Sequence, residues 1–286
     1  MDGFRGKRVF ITGGSSGIGK ATAILLARGG AHVVIAARDE GRLGEACAAI
    51  EAAAASPGQH VSGITLDVGD RAAVNAAAPR VLEALGGLDI LINNAGVALA
   101  FRIPDTTDEM YETFMRTNYF GAVWVARAFL KHFMAQKSGH IANVSSMAGL
   151  MGIVGYSAYT PSKFALTGFS ECLRQELLPY NVGVTVLYPP DTDTPGLVAE
   201  NKLKPAETRA IAGNVKVMTA EAVAQALLSG IAANQFTVLP GAMSKLTDFV
   251  HRHFPRLLWL IIDGDLKKAL RKSGTPEAAP KPGPPA

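Results

Sequence analysis

From Lys7 to Gly241 the chain alternates short runs rich in β-branched residues with longer stretches rich in alanine and leucine. KRVFIT, GIGKATAILLARGG, HVVIAAR, EGRLGEACAAIEAAAA, HVSGITLDV, AAVNAAAPRVLEALG and LDILINNAG follow one another. The short apolar runs read as buried strands and the longer ones as helices. The rhythm continues through the helical TNYFGAVWVARAFLKHFMA, the strand HIANVSS, the helix AYTPSKFALTGFSECLRQELLPY, the strand VGVTVLYP, the helix AEAVAQALLSGIAAN and the short strand FTVLPG. Strands joined by helical crossovers lie parallel, and the crossovers share one hand. The expected class is therefore α/β: a doubly wound parallel sheet of about seven strands with helices on both faces.

Composition narrows the setting. A chain of 286 residues, 48% hydrophobic and 18% charged with 30 glycines, fits a soluble globular protein with a sizeable core. Cys47 and Cys172 lack metal or redox spacing, the six histidines are scattered, and MDGFRGKRVF lacks the apolar stretch of a signal peptide. A reduced, cytoplasmic protein without a metal site is expected. No basic-aromatic pattern on the main domain points to nucleic acid.

Three segments are expected: a nucleotide-binding domain over 1–244, an apolar-basic segment over 245–272, and a disordered Pro/Ala-rich tail over 273–286. The middle segment holds seven Lys or Arg against three Asp. Its apolar centre LLWLII covers about 9 Å as a helix, against about 30 Å of bilayer core, so it does not span a membrane alone. It suits a helix lying in the interface on a cytoplasmic face, with Phe249, Phe254, Leu258, Trp259 and Ile262 submerged and Lys245, Arg252, Arg256, Lys267 and Lys268 at anionic headgroups. A helix capping the domain or a contact between copies in a homo-oligomer suits it equally.

The chemistry concentrates where strands end. TGGSSGIG follows the first strand and opens the first helix, the context in which a glycine loop cradles a pyrophosphate at a helix N-terminus. Gly13, Ser15, Ser16, Gly17, Ile18 and Gly19 are its expected contacts. AARDEGR ends the second strand with Arg38, and Arg42 follows one turn later. Guanidinium groups suit a 2′-phosphate, so NADP(H) is expected over NAD(H). The adjacent Asp39 weakens that preference unless it begins the next helix instead. Asp67, with Val68, is placed to meet the adenine amine, and Asn93, Asn94, Ala95 and Gly96 of NNAG are placed to line the crevice.

In NVSSMAGLMGIVGYSAYTPSKFAL, Tyr159 and Lys163 stand four apart and share a helix face. A nearby ammonium stabilises phenolate, so Lys163 is expected to draw the Tyr159 pKa down and make it a usable general acid for a carbonyl. Ser146, expected to end the preceding strand, can hydrogen-bond the same carbonyl oxygen.

These motifs, in this order and spacing, resemble the short-chain dehydrogenase/reductase family over roughly Lys7 to Gly241: TGGSSGIG, NNAG, TNYFG, a serine thirteen residues before the tyrosine, and YTPSK. The resemblance implies a Rossmann-type fold and hydride transfer between nicotinamide and a carbonyl or alcohol carbon. It assigns Ser146 to orient the carbonyl, Tyr159 to donate the proton, and Lys163 to tune the tyrosine and bind the nicotinamide ribose. It gives Asn118 of TNYFG a water in the proton relay. The loop after the sixth strand normally begins Pro-Gly in the family; here Pro189 and Pro190 stand together, with Thr192 implied to touch the carboxamide. The string YPPDTDTPGLVAENKLKPAET resembles the family's 3-ketodihydrosphingosine reductases, which implies NADPH and a long-chain keto sphingoid base as substrate. Two other readings stay open: a reductase of another lipid, 3-oxo-ceramide or steroid-like ketone, and a non-catalytic NADPH-binding module.

Overall fold

A computed structural model describes residues 2–212 and 217–273, so the expected disordered tail over 273–286 lies almost wholly outside the described residues. The chain runs β1 (Arg8–Thr12), α1 (Gly17–Arg28), β2 (His32–Ala37), α2 (Glu40–Glu51), β3 (Val61–Thr65), α3 (Arg71–Leu85) and β4 (Ile90–Asn93). Next come α4 (Asp108–Phe114), α5 (Gly121–Gln136), β5 (Gly139–Val144), α6 (Tyr159–Leu177) and β6 (Val182–Leu187). The rest comprises β7 (Thr192–Asp193), α7 (Pro195–Leu203), α8 (Ala206–Ala212), β8 (Met218–Thr219), α9 (Ala220–Ala232), β9 (Thr237–Val238), α10 (Ala242–His253) and α11 (Pro255–Ser273).

Seven strands form one parallel sheet, as the alternating pattern predicts, and their order is β3-β2-β1-β4-β5-β6-β9. Side chains alternate across the pleat, and two cores result. Val9, Ile11, Val33, Ile35, Ile90 and Ile92 pack with Leu26 of α1, Ile50 of α2 and Leu227 of α9. Phe10, Val34, Leu91 and Ile141 face the other way onto Val74 of α3, Phe129 of α5 and Leu173 of α6. Strand order reverses between β1 and β4, and there the loops at the carboxyl ends of the strands diverge to leave a cleft.

Two features depart from the sequence reading. The helical stretch through TNYFG is not uniform: α4 and α5 are joined by a π-turn over Met115–Phe120. The wide turn carries Asn118, whose side chain is buried and bonded on both ends. Its Oδ1 accepts from the Val97 amide at 2.8 Å, and its Nδ2 donates to the Val97 carbonyl and to Ser162 Oγ, each at 3.0 Å. Those bonds, to segments 21 and 44 residues away in the chain, hold the π-turn in place. The loop after β6 is also more ordered than a connector, because β7 pairs in parallel with β8, Thr192 opposite Met218 and Asp193 opposite Thr219. Thr194 then caps α7, accepting from the Leu197 amide at 3.2 Å, with Pro195 at the first helical position.

His140 shows what burial between helices and sheet entails. Thr185 Oγ1 donates to the Gln235 carbonyl at 2.7 Å, so it accepts from His140 Nε2 at 2.8 Å and fixes a proton on that nitrogen. Burial lowers the His140 pKa to about 4, below the roughly 6.5 of the unfolded chain. A depressed folded-state pKa gives stability that is fully present above pH ~6.5 and is lost as the pH falls towards about 4. His140→Gln is expected to remove up to about 3 kcal/mol of the stability difference between pH 7 and pH 4, measured by urea unfolding at both pH values.

Candidate active site

The cleft measures about 640 Å³ and runs along the carboxyl ends of β1, β2, β4, β5 and β6. One end is built by the glycine loop. Gly13 and Gly17 have φ of +67° and +52°, in the left-handed region that favours glycine. A Cβ on Gly13 would lie 2.8 Å from the Ala95 backbone, and one on Gly19 would lie 2.3 Å from the Gly13 carbonyl. The loop is therefore held tight against the end of β4. Asn94 fastens it, its Nδ2 donating to the Thr12 and Gly13 carbonyls at 3.0 and 2.9 Å. Thr12 Oγ1 in turn accepts from the Asn94 and Ala95 amides, each at 3.1 Å.

Of the loop residues expected at the cleft, Gly13, Ser15, Ser16, Gly17 and Ile18 line it, and Gly19 does not. Gly19 serves packing: its missing side chain lets α1 approach the loop. Arg38, Arg42, Asp67, Val68, Asn94, Ala95 and Gly96 line the same end. Asp39 begins α2, accepting from the Arg42 amide at 2.9 Å, and its carboxylate also stands 3.6 Å from the Arg42 guanidinium. Asp67 is held by the Gly69 amide at 2.8 Å. Asn93 departs from expectation: it faces α5 and β5 rather than the cleft, donating to Asn143 Oδ1 at 2.9 Å in the buried sheet. Strand alternation sends Asn93 one way and the chain leaving β4 the other.

At the cleft's centre, β5 stops at Val144, two residues short of the expected end, and Ser146 instead caps a 3₁₀ turn over Met147–Gly149. Its Oγ accepts from the Ala148 amide at 3.1 Å and is hydrogen-bonded to the Tyr159 phenol. Ser145 is buried and turned towards α6, donating to the Lys163 carbonyl at 3.2 Å, so Ser146 is the serine beside the tyrosine. Tyr159 and Lys163 share a face of α6 as expected, with Lys163 Nζ 5.7 Å from the tyrosine ring centre and donating to the Val144 carbonyl at 2.9 Å. Asn118 does not line the cleft; it approaches from behind Gly96, where a Cβ would lie 3.1 Å from Asn118 Oδ1 and 3.4 Å from Lys163 Nζ.

The electrostatics correct one expectation. Burial pushes the Tyr159 phenol well above its ordinary pKa, the Ser146 hydrogen bond opposes this, and the charges of Glu200 and Asp191 add to it. Lys163 does not bring the phenol down; burial instead lowers the lysine itself to about 8. Desolvation outweighs the attraction that the spacing of the pair suggests. Tyr159 is thereby held protonated at neutral pH, beside a serine hydroxyl. The pair can polarise and protonate a carbonyl oxygen.

The other end of the cleft contains residues that single-motif reading missed. Tyr156 donates to Glu200 in a short hydrogen bond, Lys204 Nζ lies 2.8 Å from Glu200, and Asp191 lies 3.8 Å from the same ammonium. The only sequence signal was Glu200 and Lys204 at helical spacing. Pro189, Pro190 and Thr192 form the neighbouring wall, with Thr192 Oγ1 donating to the Pro190 carbonyl at 2.8 Å and keeping its lone pairs as acceptors. The C-terminal segment also differs from a single interfacial helix. It breaks at Phe254–Pro255 and folds back, so that Leu258, Ile262 and Asp265 of α11 and Met243 and Thr247 of α10 line the cleft. Leu258 and Ile262 thus point inward, while Phe249, Phe254, Leu257, Trp259, Leu260 and Ile261 are exposed. Arg252 is paired with Asp248 at 2.8 Å. Among the described residues, no helix is long and apolar enough to cross a membrane.

The chain is similar to known proteins. The chain is 41% identical over 233 residues to a 3-dehydrosphinganine reductase of Danio rerio, covering 81% of this chain and 70% of that one. It is 41% identical over 247 residues to a 3-ketodihydrosphingosine reductase of Bos taurus, covering 85% and 74%. The crystal structure of a short chain dehydrogenase/reductase from Burkholderia phymatum in complex with NAD superposes with a TM-score of 0.78 at 28% identity, covering 89% of this chain and 95% of the other. With the family model for short chain dehydrogenases matching residues 7–205, the chain belongs to the short-chain dehydrogenase family.

Proposed function

We propose that the protein reduces the 3-keto group of 3-ketodihydrosphingosine to the alcohol with NADPH. The observation that carries this reading is one cleft joining Ser146, Tyr159 and Lys163 to an end where Met243 of α10 and Leu258 and Ile262 of α11 supply apolar wall. The similarity to reductases named for that substrate supports it.

The glycine loop fits a dinucleotide, since Gly13, Ser15, Ser16, Gly17 and Ile18 line the cleft where α1 begins, with Gly13 and Gly17 in the left-handed backbone that a tight turn needs. When bound, the nicotinamide supplies the hydride that reaches the carbonyl carbon. Tyr159 holds the proton at its Oη and passes it to the carbonyl oxygen, and Ser146 orients that oxygen. Lys163, fixed by the Val144 carbonyl, is placed for the ribose hydroxyls. Asn118 acts from behind: its side-chain amide is committed to Val97 and Ser162, so it positions the loop after Gly96 and the start of α6. Thr192 would offer lone pairs to a carboxamide, and the guanidinium groups of Arg38 and Arg42, which line the cleft, would suit a 2′-phosphate.

The apolar side chains exposed on α10 and α11, with Lys245, Arg256, Lys267 and Lys268 on the same helices, suit a peripheral contact with an anionic membrane on its cytoplasmic face. In this reading the domain of residues 1–244 and the segment of residues 245–272 work together, the second both roofing the cleft and meeting lipid.

The deciding assay follows NADPH oxidation with 3-ketodihydrosphingosine, 3-oxo-ceramide and a steroid ketone in parallel; a rate with the first is expected, and none would overturn the proposal. Tyr159→Phe is expected to lower kcat about 10²- to 10⁴-fold while NADPH fluorescence titration still shows binding. Arg38→Gln should lower the ratio of kcat/KM for NADPH over NADH roughly ten- to hundredfold. Joint Trp259→Glu and Leu260→Glu changes should weaken co-sedimentation with phosphatidylserine liposomes about tenfold or more, and equal binding would count against the membrane contact.

A further inference from the structure

The wall beyond Tyr159 carries more negative charge than carbonyl reduction calls for. Asp191, Glu200 and Tyr156 all line the cleft, and Lys204 is the cation set among them. Lys204 is buried, and its close partner is Glu200 at 2.8 Å. Glu200 is buried too and takes the Tyr156 hydroxyl as well, so its charge is answered. Asp191 differs: its side chain is 34% exposed, and its contact with Lys204 is 3.8 Å, long for a hydrogen bond. Two carboxylates face one ammonium, leaving one negative charge, and that charge lies on the side open to the cleft.

The position of the charge is fixed by the chain. Asp191 follows Pro189 and Pro190, whose φ angles are locked, and the next residue enters β7. The Met218 amide donates to the Asp191 carbonyl at 3.0 Å, so the backbone there is held by β8. Both Asp191 and Glu200 act electrostatically on Tyr159. A neutral ketone gains nothing from a carboxylate so placed. A ketone with an ammonium on the adjacent carbon gains a charge-assisted hydrogen bond, made while its carbonyl lies at Tyr159.

We infer that Asp191, backed by Glu200 and Lys204, receives the ammonium of a 2-amino-3-ketone and selects it over ketones that lack the amine. The inference rests on the reductase reading above and adds the group that reads the substrate's head. The seated ammonium also neutralises the excess negative charge near Tyr159 as the phenol gives up its proton, so recognition bears on kcat as well as on KM.

The test compares kcat/KM for 3-ketodihydrosphingosine with that for the 1-hydroxy-3-ketone of equal chain length lacking the amine. The unaltered protein is expected to favour the amine at least tenfold, and Asp191→Asn to reduce that ratio at least tenfold, with NADPH binding checked by fluorescence. Inhibition of the unaltered protein by dodecylamine and by dodecanol provides an arm free of mutation, with the amine expected to act at concentrations at least tenfold lower. A ratio unchanged in an Asp191→Asn protein that binds NADPH, or equal inhibition by amine and alcohol, overturns the assignment while leaving the reductase reading standing. Should the unaltered protein turn over neither ketone, the reductase reading fails and the assignment fails with it.

Discussion

The meeting of β1 and β4 is the constraint on which the site depends. At the reversal of strand order, two loops must leave the sheet side by side without colliding, and the chain solves this by stitching them together through Thr12 and Asn94. The glycines matter because the stitch is tight: backbone lies against backbone where any side chain would intrude. Once this junction is set, β5 and β6 add outward in register and carry Ser146 and Asp191 to the same rim. The chemistry inherits its geometry from a packing solution made at a distance from Tyr159.

Burial and charge act on Tyr159 in the same direction. Desolvation and the neighbouring carboxylates both keep its proton on, and only the Ser146 hydrogen bond favours release. The proton is therefore present on Tyr159 at neutral pH and is held more tightly than on a free phenol. The lowered lysine fits the same environment, since a dry site resists any charge it is not built to pair.

What could be read in the sequence was whatever is local. Alternating strands, the glycine loop and the pairing of Tyr159 with Lys163 are patterns within a few residues, and each lies where expected. What escaped was set by contacts between distant segments. Tyr156 meets Glu200 across 44 residues of chain, and the π-turn exists because Asn118 reaches Val97 and Ser162. Asn93 was misplaced because one step along a strand changes the face a side chain occupies. The direct charge argument for Lys163 and Tyr159 failed because spacing reports proximity and says nothing about water. The C-terminal helices were legible as amphipathic, but which side would turn to the cleft depended on surfaces built elsewhere.

Helix α11 presents Leu258 and Ile262 to the cleft and Leu257, Leu260 and Ile261 to the outside, so it is a thin apolar partition between two environments. Moving a dozen methylenes through open water costs about 10 kcal/mol, which would slow any exchange of a long-chain compound by many orders of magnitude. For the long-chain substrate proposed above, a helix with apolar side chains on both sides would let the chain slide around its edge a few carbons at a time, each leaving one greasy surface as it reaches another. One large solvation barrier would then become a series of small ones, set by a single helix rather than by the catalytic groups beneath it.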